Sequence, residues 1–121
     1  MILGTPDSVP GERGSESHSG TGAYFVRTLL DKVPASAFKY VRDLTLYPGS
    51  TIGEHLHTGD EEIYFIISGS GVMVVDGEER LVGPGSAILT QSGSHHGLRN
   101  EGTEDLRIFV VCAQAISSAS K

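Results

Sequence analysis

The hydrophobic residues of this chain fall into short runs separated by turns that contain Gly, Pro or Ser. None of the runs has the length and the period of an amphipathic helix, whereas several have the composition of β-strands. The pattern predicts strands at residues 24–30, 40–46, 63–67, 72–75, 78–82, 87–89, 96–99 and 106–111. Closely spaced strands of this kind are typical of an antiparallel sandwich or barrel, so we predict an all-β fold.

The clearest local signal is Asp76-Gly77, which lies between the strands predicted at 72–75 and 78–82. Asp-Gly favours the two-residue turn of a β-hairpin, because that turn requires positive φ at both positions. We therefore predict that these two strands pair with each other.

The predicted strand at 63–67, Ile-Tyr-Phe-Ile-Ile, is apolar on both faces. A strand with one wet face alternates between apolar and polar residues, so the outer face of this strand must be covered. The chain is too short to provide a complete second layer. We expect a homodimer with twofold symmetry that places Ile63, Phe65 or Ile67 near the interface.

The two ends of the chain lack a hydrophobic period. Residues 1–20 are rich in Gly, Ser, Pro and charge, and residues 115–121 are mostly small and polar. Such segments bury little surface, so we interpret 1–20 as a mobile arm, 21–114 as the barrel and 115–121 as a flexible tail. His18 falls in the arm, and we expect no function for it.

Charge and composition narrow the classes of function. The chain has 121 residues, enough for one domain, and its formal net charge is -6. An acidic chain offers no cationic surface to phosphates, so we expect no nucleic-acid partner. A bilayer span needs about 20 apolar residues and a signal peptide needs a charged and then apolar N-terminus. We find neither pattern, and expect a cytoplasmic protein without membrane contact.

The candidate chemistry lies in the spacing of the histidines. His55 and His57 are two residues apart, so on an extended strand both imidazoles point to the same side and could hold one metal ion. A carboxylate could come from Glu61 or Glu62, and a third imidazole from His95 or His96. Alternation does not choose between Glu61 and Glu62, because both faces of that strand are largely apolar. His95 and His96 point to opposite sides of an extended strand, so only one of them can join His55 and His57.

Two motifs around these residues resemble those of the cupin family. The first, Gly-x5-His-x-His-x4-Glu-x6-Gly, is matched without a spacing error by Gly49, His55, His57, Glu62 and Gly69. The second, Gly-x5-Pro-x-Gly-x2-His-x3-Asn, is matched by Gly85, Gly93, His96 and Asn100, with Gln91 in place of the proline. The motifs run from residue 49 to residue 100, and the flanking strands suit the same barrel.

The resemblance implies a double-sheet jelly-roll barrel and a metal site made of His55, His57, Glu62 and His96. It selects Glu62 over Glu61 and His96 over His95, and it leaves His95 near the rim. Three imidazoles and one carboxylate suit Fe, Mn, Ni, Zn, Cu or Co better than Mg or Ca. We therefore expect one divalent transition-metal ion as the cofactor.

The sequence does not choose among the activities that such a site can have. We expect a metal-dependent enzyme that chelates a small organic substrate, either a dioxygenase or a Lewis-acid isomerase, lyase or cyclase. The alternative is a non-catalytic module that binds a metal and a small molecule. Tyr64 shares the predicted face of Glu62 and is a candidate proton donor or acceptor. Arg42 alternates with Leu44 and could point inward toward an anionic substrate, but we expect it to point outward into solvent.

Overall fold

Residues 1–116, which the computed structural model describes, form an almost entirely β-stranded domain. The strands are β1 (Glu12–Ser15), β2 (Ala23–Asp31), β3 (Phe38–Leu46), β4 (Thr51–Leu56), β5 (Asp60–Ser68), β6 (Gly71–Val75), β7 (Glu78–Val82), β8 (Ala87–Thr90), β9 (His95–Arg99) and β10 (Leu106–Gln114). Short 3₁₀ turns at Pro6–Ser8 and Ser17–Ser19 flank β1.

The strands form two antiparallel sheets. One sheet has six strands in the order β1-β2-β3-β10-β5-β8, and the other has four in the order β4-β9-β6-β7. Neighbouring strands in a sheet are often distant in sequence, as in the pairing of β10 with both β3 and β5. The predicted all-β jelly-roll fold is thereby confirmed.

The core lies between the two sheets and follows the alternation of the strands. Along β5, Glu62, Tyr64 and Ile66 are buried, whereas Ile63 and Phe65 point outward. The buried apolar side chains come from both sheets and include Leu46, Ile66, Leu98, Leu106 and Ile108, each at most 1% exposed. This core fixes the distance between the strands that carry the histidines and the strand that carries Glu62.

The predicted hairpin is present. Residues Gly71–Val75 of β6 pair with Glu78–Val82 of β7, and Asp76 and Gly77 both have positive φ, at 48° and 81°. These angles are those of the tight hairpin turn that Asp-Gly favours.

Residues 1–20, interpreted from the sequence as a mobile arm, contain a strand that the sequence did not predict. Glu12–Ser15 forms an edge strand that pairs antiparallel with β2, from Glu12 opposite Val26 to Ser15 opposite Ala23. None of the four residues of β1 is hydrophobic, so the strand is held by backbone pairing rather than by burial of side chains. Of the predicted tail, residues 117–121 lie outside the described residues.

Among residues 1–116, no helix is long and apolar enough to cross a membrane.

Candidate metal centre

The pairing of β4 with β9 brings His55 and His96 together. Their Cα atoms are direct cross-strand partners, and the register shifts between Ile52 and His55. A bulge of this kind adds a residue to one strand and redirects the side chains that follow it. Here the bulge includes Gly53, whose carbonyl oxygen lies 2.8 Å from Nδ1 of His55.

His57 and Glu62 reach the same place from different elements. His57 follows the end of β4, and its backbone nitrogen donates to the carbonyl of Ser94, 3.0 Å away. Glu62 lies on β5, in the opposite sheet, and is 4% exposed. The four side chains therefore converge only because the two sheets face each other.

The metal-ligating atoms of His55, His57, Glu62 and His96 all lie within 4.8 Å of one another. Nε2 of His96 is 2.9 Å from Nε2 of His57 and 3.2 Å from Nε2 of His55. Oε1 of Glu62 is 3.3 Å from Nε2 of His57 and 3.2 Å from Nε2 of His96. Two donor atoms at about 2.1 Å from a shared ion lie roughly 3.0 to 3.4 Å apart at the angles that octahedral and tetrahedral sites use. The spacing of the cluster suits one transition-metal ion.

In each of the three rings, Nδ1 contacts a neighbouring oxygen, which leaves Nε2 to bind an ion. Nδ1 of His57 donates to the carboxylate of Asp60 at 2.8 Å, and Nδ1 of His55 donates to the carbonyl of Gly53. When the rings are neutral, both Nε2 atoms then carry lone pairs, and Nε2 of His57 lies 3.3 Å from Oε1 of Glu62. Lone pairs that face each other in a buried site favour a cation between them.

His96 and Asp60 are held in turn by their neighbours. Nδ1 of His96 lies 2.7 Å from the hydroxyl of Thr90, which is fully buried and pairs with Glu62 across β5 and β8. Asp60 also accepts from Nζ of Lys39 at 3.0 Å. Such outer contacts fix the orientation of ligating side chains.

The second oxygen of Glu62 contacts the hydroxyl of Tyr40, which donates a hydrogen bond to it. The guanidinium of Arg42 lies over the ring of Tyr40, 3.7 Å from its centroid, and Nε of Arg42 donates to the hydroxyl of Thr28 at 3.3 Å. Arg42 thus points into the barrel, and the expectation that it points outward is wrong. Tyr40 leaves only Oε1 of Glu62 facing the histidines.

A cavity of about 600 Å³ opens next to the cluster. Its walls include the cluster residues His55, His57 and Glu62, the polar side chains of Tyr40, Arg42 and Tyr64, and His18 from the N-terminal segment. The ring of Tyr64 lies 4.7 Å from that of His96, measured between centroids. A small polar molecule could therefore approach the cluster and these side chains together.

Burial shifts the protonation equilibria of the site. It lowers the pKa of His55 to about 4 and raises the pKa of Tyr64 well above its usual value. Burial also raises the pKa of Tyr40, and the hydrogen bond with Glu62 adds to the effect. At neutral pH His55 is therefore uncharged and both phenols keep their protons.

The four residues predicted as metal ligands are thus brought together, although their role as ligands stays a prediction. His95 is exposed, and its backbone nitrogen donates to Asp76 at 2.8 Å. Sequence reasoning missed Tyr40, Asp60, Thr90 and His18. Tyr40 carried a usable signal, because it alternates with Leu44 and Leu46 on one face of β3; the others carried none.

Comparison with known proteins agrees with this geometry. The family model described as Cupin domain matches residues 42–112, which is more than half of the chain. The chain belongs to the cupin family.

Two of the comparisons found similarity to Thermotoga maritima sequences or structures. An oxalate-binding protein is 34% identical over 113 residues, which cover 92% of this chain and 92% of that protein. A crystal structure described as a predicted oxalate decarboxylase is 30% identical, with a TM-score of 0.87 over 94% of this chain and 99% of that one. A polyketide cyclase from Streptomyces resistomycificus, 23% identical with a TM-score of 0.72 over 93% and 78% of the chains, shares the fold.

Proposed function

We propose that this protein binds a divalent transition-metal ion through His55, His57, Glu62 and His96, and that the metal site captures a small carboxylate anion. The observation that carries the proposal is the guanidinium of Arg42, which shares a cavity of about 600 Å³ with the cluster of ligating atoms. A fixed cation beside an open metal site is suited to a ligand with two anionic ends.

Oxalate is the natural test ligand. The 34% identical relative from Thermotoga maritima is named for binding it, and its two carboxylates can chelate a metal while an outer oxygen accepts from a guanidinium. Arg42 is held in place for this task by its stacking on Tyr40 and its hydrogen bond to Thr28.

We further propose that the protein is an enzyme of the Lewis-acid type, a lyase or an isomerase, rather than a dioxygenase. A bound divalent ion would stabilise negative charge that develops on a coordinated substrate oxygen. Tyr64 and Tyr40 line the same cavity, and burial keeps both protonated at neutral pH. Tyr64 would therefore act as a proton donor and not as a base.

Isothermal titration of oxalate into Mn²⁺-loaded and metal-free protein tests the binding proposal. We expect binding only with the metal, and about a 10-fold or greater loss of affinity in Arg42→Gln, because a hydrogen bond to a charged group contributes roughly 1.5 to 3 kcal/mol. Arg27→Gln is the matched control, since Arg27 lies on the outer face of β2 against Phe25. Equal affinity in both variants would contradict the proposal.

A binding module without catalysis is the second candidate, and the name of the oxalate-binding relative favours it. Incubation of the metal-loaded protein with oxalate, followed by assays for formate and carbon dioxide, separates the two. Turnover that falls in Tyr64→Phe while oxalate affinity stays constant supports the enzyme. Binding without turnover supports the module, and oxygen consumption by Fe²⁺-loaded protein with catechols, thiols or β-diketones would support a dioxygenase.

A further inference from the structure

His18 lies against the candidate metal centre although it is far from the ligands in sequence. Its ring is parallel to that of His55, with the centroids 3.5 Å apart and 8° between the planes. His18, Ser17 and Glu12 all line the cavity beside the cluster. The chain that precedes β2 therefore supplies part of the wall of this cavity.

The segment that carries His18 is anchored on β4. The backbone nitrogen of Thr51 donates to the carbonyl of Thr21 at 2.8 Å, and the backbone nitrogen of Thr21 donates to the hydroxyl of Thr51 at 2.8 Å. At Gly53 a Cβ atom would lie 2.1 Å from the carbonyl oxygen of His18. Only glycine at this position permits so close an approach, so β4 and the segment are fitted to each other.

The backbone of this segment adopts costly conformations. Glu16, His18 and Ser19 have φ values of 54°, 50° and 63°, in the left-handed region that residues with a Cβ rarely enter. Strain of this kind persists only where the surroundings impose it, and it concentrates at sites that bind ligands. The strained residues are the ones that place the ring of His18 on His55.

We propose that His18 is a specificity-determining residue for the anion bound at the metal, an inference that rests on the function proposed above. The ring stacks on His55 and lines the same cavity, so an anion that binds beside His55 shares this space with His18. A short dicarboxylate such as oxalate fits next to the ring and accepts a hydrogen bond from its N–H group. A longer dicarboxylate meets the ring, and His18 therefore selects short anions.

The test uses a variant that removes the ring and preserves the backbone. Gly adopts positive φ without cost, so His18→Gly suits the conformation at this position. Ser19→Gly is the matched control, because it gives the neighbouring residue the same freedom and leaves the ring in place. Affinities of the Mn²⁺-loaded proteins for oxalate and for succinate are measured by isothermal titration.

We expect the ratio of the oxalate affinity to the succinate affinity to fall about 10-fold or more in His18→Gly, the scale of one hydrogen bond to a charged group. The ratio should stay unchanged in Ser19→Gly, and both variants should bind Mn²⁺ with the stoichiometry of the wild type. A ratio in His18→Gly equal to that of the wild type would overturn the inference.

If the wild type binds neither anion, the proposed function is refuted. A second measurement then still tests whether the ring of His18 covers the metal site. The relaxation rate of water protons in Mn²⁺-loaded protein, without any anion, reports the access of water to the metal. Removal of the ring should raise this rate in His18→Gly and leave it unchanged in Ser19→Gly. Equal rates in the wild type and His18→Gly would show that His18 does not cover the site.

Discussion

The histidines of the cluster differ in the group that accepts a hydrogen bond from Nδ1, the ring nitrogen that does not face the other ligands. A carboxylate, that of Asp60, accepts from Nδ1 of His57, whereas the backbone carbonyl of Gly53 accepts from Nδ1 of His55. A carboxylate partner raises the basicity of an imidazole and strengthens its bond to a metal. Asp60, held by Lys39, therefore fixes the direction in which Nε2 of His57 points.

Replacement of His96 tests the assignment of the third imidazole. His96→Ala should abolish stoichiometric metal binding, because it removes one of four ligands from a buried site, while the hydrophobic barrel persists. His95→Ala is the control, since the side chain of His95 is exposed on the other side of β9. Metal analysis after dialysis measures both variants, and retained metal in His96→Ala with loss in His95→Ala would reverse the assignment.

A substitution of Tyr40 tests how much a hydrogen bond to a ligand, made by a residue that is not itself a ligand, contributes to metal affinity. Tyr40→Phe removes the hydrogen bond to the second oxygen of Glu62 and should weaken metal binding about 10-fold, the lower end of what such outer contacts contribute. Tyr24→Phe is the matched control, because Tyr24 lines the same cavity without contacting Glu62. Metal affinity is measured by competition with a chelator, and equal affinities in the two variants would refute this role of Tyr40.

Metal binding should weaken as the pH falls from about 7 to about 5, because protons compete for imidazoles whose ordinary pKa is about 6.5. Burial, however, lowers the pKa of His55 to about 4, so this ligand is already deprotonated throughout the window. A lowered pKa removes competition, and the loss per pH unit should stay below that of three ordinary histidines. Chelator competition at several pH values gives the slope; a flat profile or a three-proton slope would contradict this account.

At the scale of the elements, the strand pattern and the motif spacing predicted most of the fold. Alternation of apolar and polar residues marks strands that bury one face, such as the strand carrying Leu44 and Leu46. The motif spacing places His55, His57 and Glu62 on either side of the junction between β4 and β5. β1 was missed because the polar sequence Glu-Arg-Gly-Ser leaves no hydrophobic signal, and its pairing with β2 is a tertiary contact.

Contacts that depend on tertiary packing were also not predicted from the sequence. His18 reaches the cluster through a segment docked on β4, and no local pattern marks that docking. Arg42 shares a face with Leu44, so its direction was available from alternation. Its charge favoured the opposite interpretation, because an arginine inside a barrel requires partners that only the structure reveals, here Tyr40 and Thr28.

Removal of residues 1–18 tests whether the N-terminal segment stabilises the barrel. The deletion removes β1 and its pairing with β2 together with the stacking of His18 on His55. We expect a fall in melting temperature of about 4 °C or more, the scale of 1 kcal/mol in a small domain. Removal of residues 1–3, whose side chains are exposed, is the control. An unchanged melting temperature would support the sequence-based interpretation of a mobile arm.

At the scale of the whole molecule, the outer face of the six-stranded sheet carries an apolar surface. Ile63 and Phe65 are each 39% exposed, and Leu89 on the neighbouring strand is 49% exposed. Cross-strand pairing places Val111 opposite Ile63 and Phe109 opposite Phe65, so the surface continues onto β10. Contiguous apolar surface of this kind favours association, and the described chain provides no layer over it.

The homodimer predicted from the strand at 63–67 would bury this surface, since a twofold axis near Phe65 pairs the same face of two copies. Phe65→Glu should dissociate the dimer or make the protein insoluble, because it places a charge at the centre of an apolar contact. Leu81→Glu is the control, as Leu81 is 79% exposed on β7 in the other sheet. Analytical ultracentrifugation at tens of micromolar measures the state of each protein. A wild-type protein that sediments as a monomer would refute the dimer and leave Ile63 and Phe65 as solvent-facing residues.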